Sequence, residues 1–381
     1  MEINKVYNYD CIEGLRLMED ESVDCCVTSP PYWGLRDYGT AEWVGGKPDC
    51  PHRRETKKTG HKNFDDMMGV RDSIYKSVCP LCGAVRVDRQ IGLEETPEQY
   101  VEKLVMIFRE VKRVMKKEGT LWLNLGDSYW GGGWRGSCIS EYSGDIQKNH
   151  KGTHCGDTMP NAKGNYKDIK NKDLVGIPWM VAFALRADGW YLRQDIIWHK
   201  PNCMPESVKD RCTKAHEYIF LLTKSGRYYY DADAIREPHS STPWGKGENG
   251  SIGKPNVGWL GQNASDKSGW WLSGRAGNHP RGRNKRTVWS IPTRPFKGAH
   301  FAVFPPDLIE PCILAGCPEG GIVLDPFMGS GTTGMVAAMY QRNFIGFELN
   351  PEYCKMAERR LEQNRVGWGQ LGISDLFSEE Q

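Results

Sequence analysis

The segment from residue 322 to residue 333 reads Ile-Val-Leu-Asp-Pro-Phe-Met-Gly-Ser-Gly-Thr-Thr. Its apolar opening predicts a buried strand, and its closing threonines predict the start of a helix. Gly329 and Gly331 lie in the turn between them, where glycine lets the backbone approach a ligand closely. The helix N-terminus favours a carboxylate or another polar ligand group. The pattern predicts a cofactor at the end of a strand, and the lack of a P-loop lysine argues against a nucleoside triphosphate.

A second strand is predicted at residues 343–348, and it ends in Glu348. An acid at the end of the second strand of such a unit commonly binds ribose hydroxyls, so Glu348 is expected to bind a ribose. Upstream, a helix is predicted from the Thr96 cap to Gly119, followed by a strand at Thr120–Leu125. This repeated helix–strand order predicts an α/β fold with a mostly parallel sheet.

Two further segments bear on the outline of the fold. An antiparallel hairpin around Ser225-Gly226 is predicted to pair Glu217–Thr223 with Tyr228–Tyr230. Residues 131–172 are rich in Gly, Asn and Lys, which predicts either a loop that closes over a cleft or an ordinary disordered insert.

The segment at residues 28–33 reads Thr-Ser-Pro-Pro-Tyr-Trp and follows the short apolar run Val23–Val27, a predicted strand. Two prolines cannot extend a hydrogen-bond ladder, so the chain leaves the sheet in a rigid, extended turn. The carbonyls of Ser29 and Pro30 stay free to accept hydrogen bonds, and Tyr32 adds an aromatic ring at the same rim. These groups suit an exocyclic amino group on a stacked planar base. The other interpretation is a plain Pro-Pro turn after a core strand.

Together, the two segments resemble the motifs of DNA methyltransferases that methylate amino groups with S-adenosylmethionine. Residues 29–32 look like the family's catalytic motif, and residues 325–333 look like its cofactor loop. The catalytic motif comes first, which is similar to the permuted, beta-type group. The resemblance extends from about Val6 to about Leu361 and implies a Rossmann-like methyltransferase fold with a mixed, mostly parallel sheet. It implies that the catalytic residues are Ser29, Pro30, Pro31 and Tyr32.

The resemblance also implies cofactor contacts around both motifs. Asp10 would lie near the adenine, although the helix dipole alone favours an acid at that place. Phe301 would pack near the methionine end, and residues 198–202, similar to a Trp-x-Lys-Pro-Asn stretch of the family, would lie beside the target base. The predicted cofactor-binding residues are Asp10, Thr28, Phe301, Asp325, Pro326, Phe327, Gly329, Ser330, Gly331, Thr332, Thr333 and Glu348.

A polar segment without clear periodicity carries a metal-binding pattern. It contains Cys79-Pro-Leu-Cys82-Gly, the spacing of a zinc knuckle, and Cys50 with His52 supplies two further ligands for a closed tetrahedral site. The segment is too small and polar to fold on apolar burial alone, so a structural zinc ion would contribute its folding energy. The alternative is incidental thiols in a loop, because Cys-x-His is an irregular spacing.

A basic segment rich in tryptophan, including Trp289, precedes the cofactor loop, and it has no acid from Ser268 to Pro306. Basic side chains contact phosphates and guanine edges, and aromatic rings stack on bases or fill the gap left by a flipped one. A charge run is usually a solvated face. Beside the two motifs, however, it predicts target recognition. The predicted DNA-binding residues are Arg275, Arg281, Arg283, Lys285 and Arg286.

The net charge of the 381 residues is only +2. A DNA-binding protein of this composition would need its positive charge concentrated on one part of its surface. The 13 cysteines, without a signal-like start or an apolar run near membrane length, predict reduced thiols in a cytosol-like compartment. The resemblance implies a cytoplasmic protein encoded by a bacterium or a phage. The predicted organisation is a catalytic-motif part (1–36), a zinc-knuckle insert (37–90), the continued methyltransferase domain (91–236), a target-recognition region (237–299), a cofactor-binding part (300–365) and a tail (366–381).

The implied reaction transfers a methyl group from S-adenosylmethionine to an amino nitrogen of a base flipped out of double-stranded DNA. The Ser29 side chain and the Pro30 carbonyl would hold the two amino hydrogens while Tyr32 stacks on the base, with direct transfer by positioning and electrostatics. Serine at the first motif position is typical of relatives that methylate cytosine N4, so N4 is preferred to adenine N6. A non-catalytic DNA-binding protein, and a methyltransferase acting on RNA or a protein amide, are the alternatives.

Two features concern other functions. Pro311-Cys312 superficially resembles the nucleophile motif of ring-carbon cytosine methyltransferases, but it lies in a predicted helix before the cofactor strand, so Cys312 is expected to be a packing residue. The sequence contains no recognisable nuclease motif, so a cognate restriction endonuclease would be a separate chain. Monomer and homodimer are both left open.

Overall fold

The structure, a computed structural model, describes residues 1–34, 40–54, 73–74, 78–130, 166–238, 281–294 and 303–365. The strands are β1 (Lys5–Tyr7), β2 (Val23–Thr28), β3 (Glu42–Val44), β4 (Arg53–Arg54), β5 (Ser73–Ile74), β6 (Val85–Val87), β7 (Met115–Leu125), β8 (Tyr191–His199), β9 (His216–Thr223), β10 (Val288–Ser290), β11 (Ile322–Asp325) and β12 (Asn343–Phe347). The helices are α1 (Cys11–Arg16), α2 (Pro97–Val114), α3 (Ile177–Ala187), α4 (Pro306–Gly316), α5 (Thr332–Met339) and α6 (Pro351–Arg365).

The main sheet has eight strands in the order β1-β12-β11-β2-β7-β9-β8-β10. Neighbouring strands are parallel except that β9 runs antiparallel to both β7 and β8. The mixed, mostly parallel sheet that the sequence predicts is therefore confirmed. Strand β2 carries the Ser-Pro-Pro-Tyr segment and lies directly beside β11, which carries the cofactor loop. Two motifs far apart in sequence thus leave the sheet side by side.

Helices cover both faces of this sheet. Alternate residues of β2 point to opposite sides: Cys26 packs in the core with α1, α2 and α3, and Cys25 packs in the core with α4 and α5. Because β2 is covered on both faces, its run Val23–Thr28 is almost continuously buried, as is usual for an inner parallel strand. The capping box predicted for α2 is present, since Thr96 and Gln99 each bond the other's backbone N–H.

The boundary between α2 and β7 differs from the prediction. The helix ends at Val114 instead of Gly119, and Met115 already pairs with Val23 of β2. Gly119 has another use, because a Cβ atom there would lie 3.0 Å from the Asp24 carbonyl oxygen. Pairing with β2 therefore replaces the last helical turn that the apolar spacing suggested, and the glycine allows the two strands to approach.

The predicted hairpin around Ser225-Gly226 is wrong. Strand β9 pairs with β7 and β8, so both of its edges are already occupied. Residues Tyr228–Tyr230 form no strand, and the Tyr229 N–H donates instead to the Glu118 carbonyl at 2.9 Å. A turn signal after a strand gives no information on which neighbour the strand takes, and here the neighbours come from earlier in the chain.

The segment between β2 and α2 forms two small antiparallel sheets, β3 with β6 and β4 with β5. Its two ends meet where the Gly34 N–H donates to the Gly92 carbonyl at 2.8 Å. Thr40 Oγ1 donates to Asp88 Oδ1 at 3.3 Å nearby. The segment therefore leaves and re-enters the main domain at one place. Among the described helices, none has both the length and the apolar character needed to cross a bilayer.

Candidate active site

A cavity of about 530 Å³ lies at the carboxyl ends of β2, β7, β11 and β12. This is where open α/β sheets generally bind ligands, since neighbouring strands and their loops form a crevice there. The two motifs supply much of its wall. The predicted site residues that line it are Asp10, Ser29, Pro30, Pro31, Tyr32, Pro326, Phe327, Gly329, Ser330, Thr332 and Glu348.

Asp325 joins the two motifs from below the cavity. Its carboxylate is buried, and Oδ1 accepts hydrogen bonds from Thr28 Oγ1 at 2.6 Å and from the Phe327 N–H at 3.0 Å. Oδ2 accepts from Thr333 Oγ1 at 2.6 Å. Burial raises the pKa of Asp325 to about 6 although these three hydrogen bonds oppose the shift. Asp325, Thr28 and Thr333 are therefore placed to fix the loop, and none of the three lines the cavity.

Glu348 lies at the opposite wall, just after β12. Its two oxygens accept hydrogen bonds from the Gly329 N–H at 2.9 Å and the Asn350 N–H at 2.8 Å. Burial raises the pKa of Glu348 to about 7, so the carboxyl changes its charge near neutral pH. Gly331, also in the loop, has a φ of +85° and would bring a Cβ within 2.9 Å of Ala357. Only glycine suits that position.

Arg360 of α6 holds the loop from the side away from the cavity. Its Nη1 donates to the Ser330 carbonyl at 2.7 Å, to Ser330 Oγ at 2.8 Å and to Thr332 Oγ1 at 3.2 Å. The side chain is buried. The sequence pattern does not single out this residue, because an arginine in a polar helix has the same local pattern whether it faces water or the core.

Asp10 has the two properties that sequence analysis offered as alternatives. It caps α1, where Oδ1 accepts hydrogen bonds from the Ile12 N–H at 2.9 Å and the Glu13 N–H at 3.3 Å. It also lines the cavity. Capping and ligand contact are therefore compatible, because only one carboxylate oxygen caps the helix.

The other half of the cavity surrounds Tyr32. The Tyr32 hydroxyl donates to Glu217 Oε2 at 2.7 Å and also lies 3.1 Å from Asn124 Oδ1. Ser29 Oγ donates to the Tyr32 hydroxyl at 3.4 Å, and the Lys200 ammonium forms an ion pair with Glu217. The family-like stretch at residues 198–202 predicted that Lys200 lies near the target base. No sequence pattern predicted Asn124 or Glu217 there. They sit on β7 and β9, and only the sheet order brings them to Ser29.

The predicted metal ligands come together outside this cavity. The ligand atoms of Cys50, His52, Cys79 and Cys82 all lie within 4.8 Å of one another. The Cys50 and Cys79 sulfurs are 3.6 Å apart, and so are the Cys82 sulfur and His52 Nδ1. Tetrahedral Zn²⁺ with Zn–S bonds of about 2.3 Å places its sulfur ligands roughly 3.8 Å apart. The backbone N–H groups of residues 47 and 84 lower the pKa of Cys82 to about 7, which favours the thiolate that binds metal. The donor set therefore fits zinc.

The predicted DNA-binding residues are only partly described. Arg283 and Arg286 both donate to Glu237 Oε2, at 3.2 and 3.1 Å. Trp289 is 5% exposed on β10, which pairs with β8, so this tryptophan is a core residue and not a base-stacking one. The Lys285 ammonium lies 5.1 Å from the centre of the Trp289 ring. Arg281 Nη1 lies 3.9 Å from Asp233 Oδ2. The predicted residues Arg275 and Phe301, and residues 131–165 of the predicted loop, lie outside the described residues.

Comparisons with known proteins show the family to which the chain belongs. The model of the N6/N4 methyltransferase family, described as DNA methylase, matches residues 23–359. The chain is 40% identical over 364 residues to the type II methyltransferase M.Cfr9I of Citrobacter freundii, covering 95% of this chain and 89% of that protein. It is likewise 40% identical over 363 residues to M.SmaI of Serratia marcescens, covering 95% and 91%.

Among solved structures, the cytosine-N4-specific PvuII DNA methyltransferase superposes with a TM-score of 0.51 at 16% identity. The match covers 98% of this chain and 90% of that chain. At this identity the likeness shows the fold alone. It confirms the expected Rossmann-like fold of S-adenosylmethionine-dependent methyltransferases.

Cys312 is predicted to be dispensable for methyl transfer. It is 1% exposed in α4, does not line the cavity, and burial raises the pKa of its thiol. We expect Cys312→Ala to keep most of the methyl-transfer activity and Pro30→Ala or Tyr32→Ala to lose it, measured as tritiated methyl incorporated into DNA. Near-total loss of activity in a normally folded Cys312→Ala variant would contradict direct transfer.

Proposed function

The chain belongs to the N6/N4 family of DNA methylases, and from this membership we propose that it methylates cytosine N4 in double-stranded DNA with S-adenosylmethionine as methyl donor. Its relatives at 40% identity are type II methyltransferases, which supports a site-specific type II DNA methyltransferase. One observation carries the proposed methyl transfer to a base: the Ser29–Tyr32 turn and the glycine loop at Gly329 open into the same cavity.

The cavity has separate places for the parts of the methyl donor. The Glu348 carboxylate would accept hydrogen bonds from ribose hydroxyls. Asp10 and the neighbouring ring of Phe347 would contact the adenine, and the loop around Gly329 would hold the methionine part. When bound, S-adenosylmethionine supplies an electrophilic methyl group on a positively charged sulfur. The role of Asp325 would be indirect, because both of its oxygens hold the loop and β2 together.

The target amino group would be held by acceptors at the end of β2. The Ser29 hydroxyl and the Pro30 carbonyl would each accept one amino hydrogen, which directs the nitrogen lone pair towards the methyl group. The Tyr32 ring packs against Gly126, because a Cβ atom there would lie 2.5 Å from the ring. The ring also lines the cavity, where it would stack on the flipped base.

The preference for cytosine rests on Ser29 and on two cations in the cavity wall. Beside its amino group, cytosine carries two acceptors, N3 and O2, whereas adenine carries N1 followed by a C–H. Lys200 and Lys214 line the cavity, and their ammonium groups would donate to such acceptors. Lys214 already donates to the Asp127 carbonyl at 2.8 Å, and an ammonium has two further N–H groups to offer.

The product identifies the function directly. Purified protein is incubated with unmethylated genomic DNA and S-adenosylmethionine, and the digested nucleosides are analysed by mass spectrometry. We expect N4-methylcytosine, with none formed by Pro30→Ala. N6-methyladenine would refute the N4 assignment, and no methylated base on any DNA would support the non-catalytic alternative or a different substrate.

Cofactor affinity should depend on pH through Glu348. Ribose hydroxyls donate to the ionised carboxylate, so ligand binding favours the deprotonated form of a group whose pKa is about 7 in the free protein. Affinity should therefore fall as the pH drops below 7, by at most about tenfold for each pH unit. Calorimetric titration with S-adenosylmethionine between about pH 6 and pH 8 measures the effect.

The matched control for this dependence is Glu348→Gln. The amide is uncharged throughout, so its affinity should be weaker than that of the wild type at high pH and nearly constant across the range. A Gln variant with the wild-type pH profile would show that another group titrates.

We further propose that Cys50, His52, Cys79 and Cys82 hold a structural zinc ion. Four protein donors complete a tetrahedral site and leave no position for a reacting ligand, so the ion has no direct part in catalysis. The neighbouring packing supports this: Trp43 stacks on the His52 ring, with centres 4.4 Å apart. Zinc would hold together a segment whose described strands are only two or three residues long.

Metal analysis of the purified protein tests the zinc site. We expect close to one zinc per chain in the wild type and in Cys212→Ala, an exposed cysteine away from the cluster, and loss of zinc in Cys82→Ala. Replacement by Co²⁺ should give the visible absorption bands of a tetrahedral thiolate site. A wild-type protein that neither retains zinc nor takes up Co²⁺ would refute the proposal.

A further inference from the structure

A chain of hydrogen bonds runs from Ser29 along the wall of the cavity. Ser29 Oγ donates to the Tyr32 hydroxyl at 3.4 Å, and Tyr32 donates to Glu217 Oε2 at 2.7 Å. Tyr32 has one hydroxyl hydrogen, and the shorter distance to Glu217 than to Asn124 Oδ1 directs it to the carboxylate. The direction of donation is therefore fixed from Ser29 to Glu217.

This direction decides what Ser29 can do. A serine hydroxyl has one hydrogen to donate and lone pairs that accept. When Tyr32 takes the hydrogen, the lone pairs of Ser29 Oγ are left for the amino group of the base. A donating hydroxyl in the same place would repel the amino hydrogens, so the contact to Tyr32 selects the productive orientation.

Glu217 is held firmly at the end of this chain. Lys200 forms an ion pair with Glu217, and the two side chains are 18% and 15% exposed. Asn124 Nδ2 lies 3.4 Å from Glu217 Oε2 and donates to the Tyr218 carbonyl at 3.0 Å. Burial, and then the charge of Glu217, raises the pKa of Tyr32 well above its usual value, so its hydroxyl is neutral in the free protein.

We propose that Glu217 is the proton acceptor of methyl transfer, acting through Tyr32 and Ser29. This inference rests on the proposed function and adds to it the fate of the amino proton. Direct transfer leaves a positive charge on the amino nitrogen, which must lose a hydrogen to become the neutral product. The structure places a carboxylate two hydrogen bonds from the serine that faces this nitrogen.

The step balances without another reactant. The amino nitrogen bonds the methyl carbon with its lone pair, and the electron pair of the broken carbon–sulfur bond stays on the donor's sulfur. The nitrogen then recovers an electron pair as its proton moves to Ser29 Oγ. The serine proton moves to the Tyr32 oxygen, and the tyrosine proton moves to Glu217. Glu217 ends as a neutral carboxylic acid, which loses its proton to solvent before the next turnover.

Glu217→Gln tests this role with little change in shape. The glutamine amide oxygen still accepts from Tyr32, but it does not take up a proton. We expect the single-turnover rate at saturating DNA and cofactor to fall by roughly a hundredfold, with the affinities for both little changed. Tyr32→Phe should lose a similar factor, and the double variant should be no slower than either single variant because the residues act as one unit.

The pH profile separates proton transfer from a structural role. The titratable groups that face Glu217 are Tyr32 from the turn, Lys200 after β8, Lys214 before β9 and His216 in β9. The wild-type single-turnover rate should depend on pH through the proton acceptor. Glu217→Gln should lose that dependence, whereas a purely structural role would leave the shape of the profile unchanged.

A second Tyr–Glu pair in the chain supplies the matched control. The Tyr340 hydroxyl donates to Glu310 Oε1 at 2.7 Å, the same distance, between α4 and the end of α5. Glu310→Gln should keep the wild-type rate and pH profile. If the wild type methylates DNA and Glu217→Gln does so at the same rate, the inference is wrong and the proposed function stands. If the wild type methylates no DNA, the proposed function itself fails.

Discussion

The Asp325 carboxylate accepts hydrogen bonds from Thr28 and Thr333, each at 2.6 Å, and so joins the end of β2 to the start of α5. These residues are far apart in the chain but adjacent in the sheet, because β11 pairs with β2. Both halves of the cavity depend on this contact. A buried carboxylate is costly, and its raised pKa of about 6 reflects that cost, which the three hydrogen bonds partly offset.

The loop above Asp325 is held from three sides, and each contact uses a different kind of group. Asp325 fixes its ends, Glu348 accepts the Gly329 N–H, and Arg360 donates to the Ser330 carbonyl. Two of these three groups carry raised pKa values from burial, so the charge state of the loop changes between acidic and neutral pH. The buried carboxylates of Asp325 and Glu348 therefore both hold the loop in place and make its charge depend on pH.

Local rules made the two motifs, and the cluster of Cys50, His52, Cys79 and Cys82, predictable from the sequence. Pro30-Pro31 ends a strand wherever it occurs, Gly331 requires a positive φ, and the Cys79–Cys82 spacing suits one metal ion. Arg360 and Glu217 were not predictable, because their partners come from other strands and helices. The end of α2 was misplaced for the same reason: Met115 continues the helical spacing, yet pairing with β2 decides its conformation.

The Ser-Pro-Pro-Tyr turn shows why such distant partners matter for chemistry. Its start is fixed by Asp325 through Thr28, and the Pro31 carbonyl accepts from the buried Tyr100 hydroxyl at 2.9 Å. Its end is fixed by Glu217 through Tyr32. Transfer that proceeds by positioning loses rate steeply with small displacements of the reacting atoms. A turn held by β11, α2 and β9 cannot shift at one end without straining contacts to three elements, so the fold itself supplies the precision that the short motif lacks.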